Sequence, residues 1–130
     1  MRIKTSMIKI VWLWLPVIIY CIFIFYLSSL PRLPVEVPSF PFSDKILHGI
    51  EYAILGLLLT RPIFILRPGL SPSALILITV SIATIYGVSD EIHQAFVPGR
   101  MPDFWDVMAD FFGSYIGTFS YLRIFGGLAR

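Results

Sequence analysis

The sequence predicts an all-α integral membrane protein, a single-domain bundle of four transmembrane helices with both termini in the cytoplasm. Three observations carry this reading. Hydrophobic residues make up 57% of the 130 and charged residues 14%, about half the charged share usual in soluble domains. The chain therefore lacks the polar side chains that would coat a soluble globule. Its apolar residues gather into runs long enough to cross a hydrocarbon core of about 30 Å as helix. Its bases and acids, finally, are sorted by position. The formal net charge of +2 is small and segregated, so it does not describe a nucleic-acid-binding surface. Cys21 is the one cysteine, which excludes an intrachain disulfide.

The first span is expected over about residues 8–30, bent at Pro16. Arg2, Lys4 and Lys9 precede it as they would a signal peptide, but the apolar run from Ile10 to about Leu30 exceeds the usual h-region, and no small-x-small cleavage site follows. An uncleaved signal anchor is the expectation. A proline-rich connection, Pro31–Ser43, leads to a second span at 44–66 with Arg61 and Pro62 in its last turns. After Arg67–Leu70, Ser71-Pro72 reads as a capping serine with proline at the first helical position, opening a third span at 71–94. The connection Ala95–Pro102 contains Val97-Pro98-Gly99-Arg100, a turn signal. A fourth span follows at 103–122. The domain is taken as residues 1–130, without internal repeats.

Orientation follows from lysine and arginine near the span ends. With the N-terminus inside, Arg2, Lys4, Lys9, Arg61, Arg67, Arg123 and Arg130 are cytoplasmic, and only Arg32, Lys45 and Arg100 are outside. Trp12 and Trp14 then lie toward the inner interface and Trp105 at the outer one. The acids divide the other way. Glu36, Asp44, Glu51, Asp90, Glu91, Asp103, Asp106 and Asp110 all fall in outer loops or the outer halves of spans. Acids contribute little to topology, so they need another reason to be there.

Helical spacing groups them. Asp44, His48, Glu51 and Tyr52 form one stripe of the second span, and Asp103, Asp106, Asp110, Gly113 and Gly117 form one stripe of the fourth. Asp90 and His93 stand one turn apart on the third. At a rise of 1.5 Å per residue, Glu51 lies roughly 10 Å below Asp44, and Asp110 the same below Asp103. A carboxylate facing lipid at that depth costs on the order of 3 kcal/mol. The stripes are therefore expected to face each other around a wet vestibule, with His48, Glu51, Asp106 and Asp110 converging and His93 and Arg100 at the rim. Plainer roles compete with function. Ser43 or Asp44 can cap the second helix, Asp103 with Asp106 resembles a capping box, and Gly113 with Gly117 is a small-xxx-small packing pair. Arg100 can neutralise nearby aspartates, and Lys45 reads as an interfacial snorkelling anchor.

Ser43-Asp-Lys-x-x-His48, with Tyr52 and Gly56, resembles the VanZ-like family. So do Ser89-Asp-Glu-x-His-Gln94, Pro98-Gly-Arg100, Asp103-x-x-Asp106-Val107, Asp110 and Gly113, together with Ser28-Ser29 at the end of the first span. The resemblance covers all four spans. Asp110 departs from it, since the family pattern more often has asparagine there, and aspartate adds negative charge. The resemblance implies a multi-pass protein of the bacterial plasma membrane and a link to the cell envelope. The family's founding member lowers susceptibility to the glycopeptide teicoplanin.

Three classes of function follow. One is an enzyme or binding protein acting on a lipid-linked or cell-wall component, with His48, Glu51, Asp90, His93 and Asp106 as chemical groups. Lys45, Tyr52, Glu91, Gln94, Arg100 and Asp103 are then the expected substrate contacts. Histidine with carboxylates suits zinc, manganese or iron, so a divalent metal is a candidate cofactor, its expected ligands His48, Glu51, His93, Asp106 and Asp110. Without metal, the same groups suit acid–base work. A second class is a small ion- or proton-coupled transporter, disfavoured because the inner halves of the spans offer no matching relay. A third is a structural or partner-binding membrane protein whose cluster only fastens helices. Expected partners are the lipid bilayer and a lipid-linked envelope precursor, and no nucleic acid. The acidic field favours a metal or an amine over a bare phosphate.

Overall fold

Four apolar segments become four α-helices: α1 (Met7–Ser28), α2 (Ser43–Leu66), α3 (Pro72–Gln94) and α4 (Phe104–Phe125). The computed structural model describes residues 6–31 and 40–126, and no strand occurs among them. Arg2, Lys4, Arg32, Glu36 and Arg130, which enter the charge argument, lie outside the described residues. The helices hold 22, 24, 23 and 22 residues, which at 1.5 Å per residue is about 33–36 Å each.

Local chemistry sets the boundaries. Ser71 accepts the Ala74 N–H at 3.2 Å, and Pro72 occupies the first turn. Asp103 accepts the Trp105 N–H at 2.9 Å and so caps α4. Asp106 does not reach back to complete a capping box; it faces Lys45 instead. Neither Ser43 nor Asp44 caps α2 with its side chain, because that helix follows Phe42 in a left-handed conformation (φ 66°). Helix α1 ends at Ser28, short of the expected 30, since Pro31 disfavours helical geometry at Leu30. Pro16 lies inside α1 without dividing it. Helix α4 runs past the expected 122 to Phe125. In the turn before it, Arg100 N–H donates to Val97 carbonyl at 3.1 Å, with Gly99 at φ 81°, a conformation suited to glycine after proline.

Helix α2 packs most extensively on α4, α3 lies against both, and α1 rests on α2 with a light touch on α3. The α2–α4 seam is backbone on backbone. A Cβ at Gly113 would run into the Gly49 backbone, one at Gly117 into Ala53, and one at Gly56 into Ser114. Gly113 and Gly117 thus have the packing role expected of a small-xxx-small pair. Two tyrosines tie α1 down: Tyr86 Oη donates to Cys21 carbonyl at 2.7 Å, and Tyr20 Oη to Glu51 carbonyl at 3.1 Å. Between them sits a core of Val17, Ile24, Tyr52, Leu55, Leu59 and Ala83.

The exposure pattern is inverted relative to a soluble protein. Thr60, Thr79, Ser114, Thr118 and Asp110 are almost wholly buried, whereas Ile8, Trp12, Ile22, Leu77, Ile85, Ile116 and Ile124 stand exposed. Apolar exteriors with polar and small interiors are what hydrocarbon solvent selects. Helices α1, α2 and α3 are each long and apolar enough to cross a membrane. Helix α4 matches them in length, but it carries Asp106, Asp110 and Arg123 and falls short of the same apolar character.

Candidate functional site

Antiparallel helices place the end of α1, the start of α2, the end of α3 and the start of α4 at one end of the bundle. Polar side chains gather there in two neighbouring groups, with His48 bordering both.

The first group lies among α2, α3 and α4. Lys45 Nζ stands 2.7 Å from Asp44 Oδ2, 2.5 Å from Asp103 Oδ2 and 2.7 Å from Asp106 Oδ1. Its side chain is 20% exposed, so Lys45 points into the cluster rather than snorkelling outward. The Lys45 ammonium beside Asp103 holds that carboxyl below its usual range, helped by the Trp105 N–H. One turn below, His48 Nδ1 lies 3.0 Å from Asp110 Oδ1, and Nε2 lies 3.7 Å from Asp106 Oδ2. Asp110 is 1% exposed, and its carboxylate sits in the space left by the missing side chain of Gly87 on α3. Glu91, also buried, accepts the Asp103 N–H through Oε2 at 2.8 Å. Glu91 Oε1 and Asp110 Oδ2 are buried without a hydrogen-bond partner among the described residues.

The second group lines a cleft of about 480 Å³ between α1 and the α2–α3 face. One wall is apolar, from Tyr20, Phe23, Ile24 and Leu27 of α1. The other carries Asp44, His48 and Glu51 of α2, with Asp90 and Gln94 of α3 and Arg100 beyond them. Asp90 and Gln94 hold one another, with Gln94 Nε2 donating to Asp90 Oδ2 at 2.9 Å. Arg100 forms no ion pair with an aspartate among the described residues. Its guanidinium donates to Leu30 carbonyl at 2.9 Å and Leu27 carbonyl at 3.1 Å, the latter in addition to the Leu30 N–H that Leu27 already accepts.

The expected convergence is therefore divided. His48, Asp106 and Asp110 meet, while Glu51 lies on the cleft side of His48. His93 joins neither group. Its Nε2 is 3.0 Å from Ser29 Oγ, and its ring stacks on Phe25 with centroids 4.4 Å apart, making it a fastener between α3 and α1. Tyr52 is fully buried in the core, beside Tyr86, and does not line the cleft. Helical spacing exposed the α2 and α4 stripes, but it gave no sign of the apolar α1 wall or of the seat at Gly87. Neither has a periodic signature; both depend on which helices become neighbours.

Residues 11–126, nearly the whole chain, match a protein-family model described as VanZ/LLP1. No curated protein and no solved structure matches the chain.

Proposed function

The chain belongs to the VanZ/LLP1 family, and on that premise we propose that it is a four-span protein of the bacterial plasma membrane, N-in and C-in. Its polar end then faces outward and binds, or acts on, a lipid-linked or cell-wall component. Helix α4 crosses as the fourth span because its carboxylates face α2 and α3, while Phe112, Ile116 and Phe119 supply an apolar exterior. Seven bases on the proposed cytoplasmic side against three outside support this orientation.

The observation that carries the binding proposal is the cleft. Its volume of about 480 Å³ lies within the usual range for small-molecule pockets, which are largely apolar with a few converging polar groups. Phe23, Tyr26, Ile50 and Ile54 line it and are also exposed, so the cleft opens toward lipid between α1 and α2. An acyl or isoprenyl chain can lie along the α1 wall while its polar head meets His48, Glu51, Asp90 and Arg100. A transporter is less well supported, since the polar groups occupy one end of the bundle. A structural role has its own supporting contact, the His48–Asp110 hydrogen bond across the α2–α4 seam.

Glu51 separates the two readings, because it lines the cleft and has no side-chain hydrogen bond among the described residues. Glu51→Gln keeps the shape and removes charge and basicity. A fastening role tolerates that change, because neutralising a partly desolvated charge removes a cost. The assay is teicoplanin susceptibility in a bacterium expressing each variant, with membrane levels measured alongside. His48→Ala, Glu51→Gln and Asp106→Asn are each expected to abolish protection at normal abundance. Full protection by well-expressed Glu51→Gln would favour the structural reading.

A further inference from the structure

Among the described residues, His48, Glu91 and Asp106 each offer a ligand atom, and those three atoms lie within 4.8 Å of one another. They come from α2, α3 and α4, so the arrangement is not a by-product of one helix's periodicity. Ligands around a zinc-sized ion bind at about 2.0–2.2 Å, leaving their donor atoms about 3–3.5 Å apart. Rotamer adjustments of roughly an ångström would close the set.

The remaining atoms of all three side chains are already engaged. His48 Nδ1 is on Asp110 Oδ1 at 3.0 Å, which leaves Nε2 facing Asp106 Oδ2 at 3.7 Å. Asp106 Oδ1 is ion-paired with Lys45 at 2.7 Å. Glu91 Oε2 accepts the Asp103 N–H at 2.8 Å, which leaves Oε1 buried and unpartnered in a side chain only 6% exposed. An orphaned buried carboxylate oxygen is expensive, and here it belongs to a residue of the three-helix cluster. A carboxylate on the far nitrogen of a metal-binding histidine is also the usual outer-shell arrangement, fixing the tautomer and raising basicity. Asp110 supplies it. Three buried carboxylates, Glu91, Asp106 and Asp110, surround His48 with one ammonium, Lys45, beside them. A divalent cation compensates that excess.

We propose that His48, Glu91 and Asp106 form a tridentate site for a divalent first-row transition cation, with Asp110 as the positioning residue that orients His48. One imidazole and two carboxylates suit zinc, manganese or iron(II) better than magnesium or calcium, which prefer all-oxygen shells. This set replaces Glu51, His93 and Asp110 of the expected ligands with Glu91. Glu51 lies on the cleft side, His93 is held by Ser29, and Asp110 is engaged with the far nitrogen of His48. The site does not depend on which envelope component the cleft takes.

The test uses the full chain purified in detergent, stripped with chelator and titrated with Co²⁺, with Zn²⁺ and Mn²⁺ as competitors. One equivalent of Co²⁺ should bind and be displaced by Zn²⁺. Glu91→Gln, Asp106→Asn and His48→Ala should abolish stoichiometric binding or weaken it more than 100-fold. Asp110→Asn should weaken it about 10-fold, and His93→Ala should leave it unchanged. X-ray absorption of the wild-type zinc form should show scattering from one imidazole, and this readout needs no variant to fold. Absence of stoichiometric binding by all three metals would overturn the proposal. So would two imidazoles, none, or unchanged binding in Glu91→Gln. Because the readout is the metal itself, a negative result leaves the lipid-binding proposal intact, and the susceptibility assay can fail without touching this one.

Discussion

At Asp110 one side chain joins three helices: it rises from α4, meets His48 of α2, and rests where Gly87 of α3 has no side chain. A methyl group at Gly87 would contact the Asp110 carboxylate and its Cβ together. The short aspartate cannot swing clear without releasing His48. Gly87→Ala is therefore expected to destabilise the bundle by about 1–3 kcal/mol, the usual range for overpacking, and to weaken Co²⁺ binding. Gly69→Ala is the control, since nothing lies within 4 Å of a Cβ there. Equal melting temperatures in detergent for the two variants would contradict this account. The meeting of His48 with Asp110 was legible in the sequence, because both sit on polar stripes that lipid would penalise. The seat at Gly87 was not, because a lone glycine in an apolar helix has many uses. His93 misled for a related reason. Spacing placed it one turn from Asp90, but the nearer hydroxyl of Ser29 and the ring of Phe25 decided its orientation.

At the scale of elements, the α2–α4 seam depends on closeness. Without side chains at Gly113 and Gly117, α4 lies directly against the α2 backbone at Gly49 and Ala53, and this proximity lets Asp106 and Asp110 reach Lys45 and His48. Gly117→Val should force the helices apart far below the polar cluster, lower the melting temperature, and weaken Co²⁺ binding without altering any ligand. Metal affinity and melting temperature both equal to wild type would show that the seam does not position the site. Helix existence and type were readable from hydropathy, and α3 and α4 began where their caps predicted. The start of α2 was readable to within a residue, but its lack of a side-chain cap was not, since Phe42 adopts a left-handed conformation with no residue signature. The fourth helix shows a limit of another kind. Its polar stripe lowers its hydropathy below that of the other three helices, so its proposed place as a fourth span rests on α2 and α3 covering that stripe.

Over the whole molecule, the direction of insertion decides what the polar end can meet. The helices alternate, so the starts of α2 and α4 share one end of the bundle, and the turn between α2 and α3 shares the other with the start of α1 and the end of α4. Lysine and arginine resist translocation, whereas acids carry little weight in the choice. The seven bases assigned inside therefore outweigh the three outside. Of those three, Lys45 is ion-paired with its aspartates and Arg100 is held by the α1 carbonyls in the folded bundle. Fusions of a periplasm-active reporter after Ser39 and after Gly99 should be active. The same reporter after Arg67 or Arg130 should be silent, and a cytoplasm-active reporter should give the reverse. A cytoplasmic signal from Ser39 would turn the cleft and the proposed metal site to face the cytosol, where no mature cell-wall component is found. The envelope assignment would then fail, while the bundle, its glycine seam and its three-helix ligand set would stand unchanged.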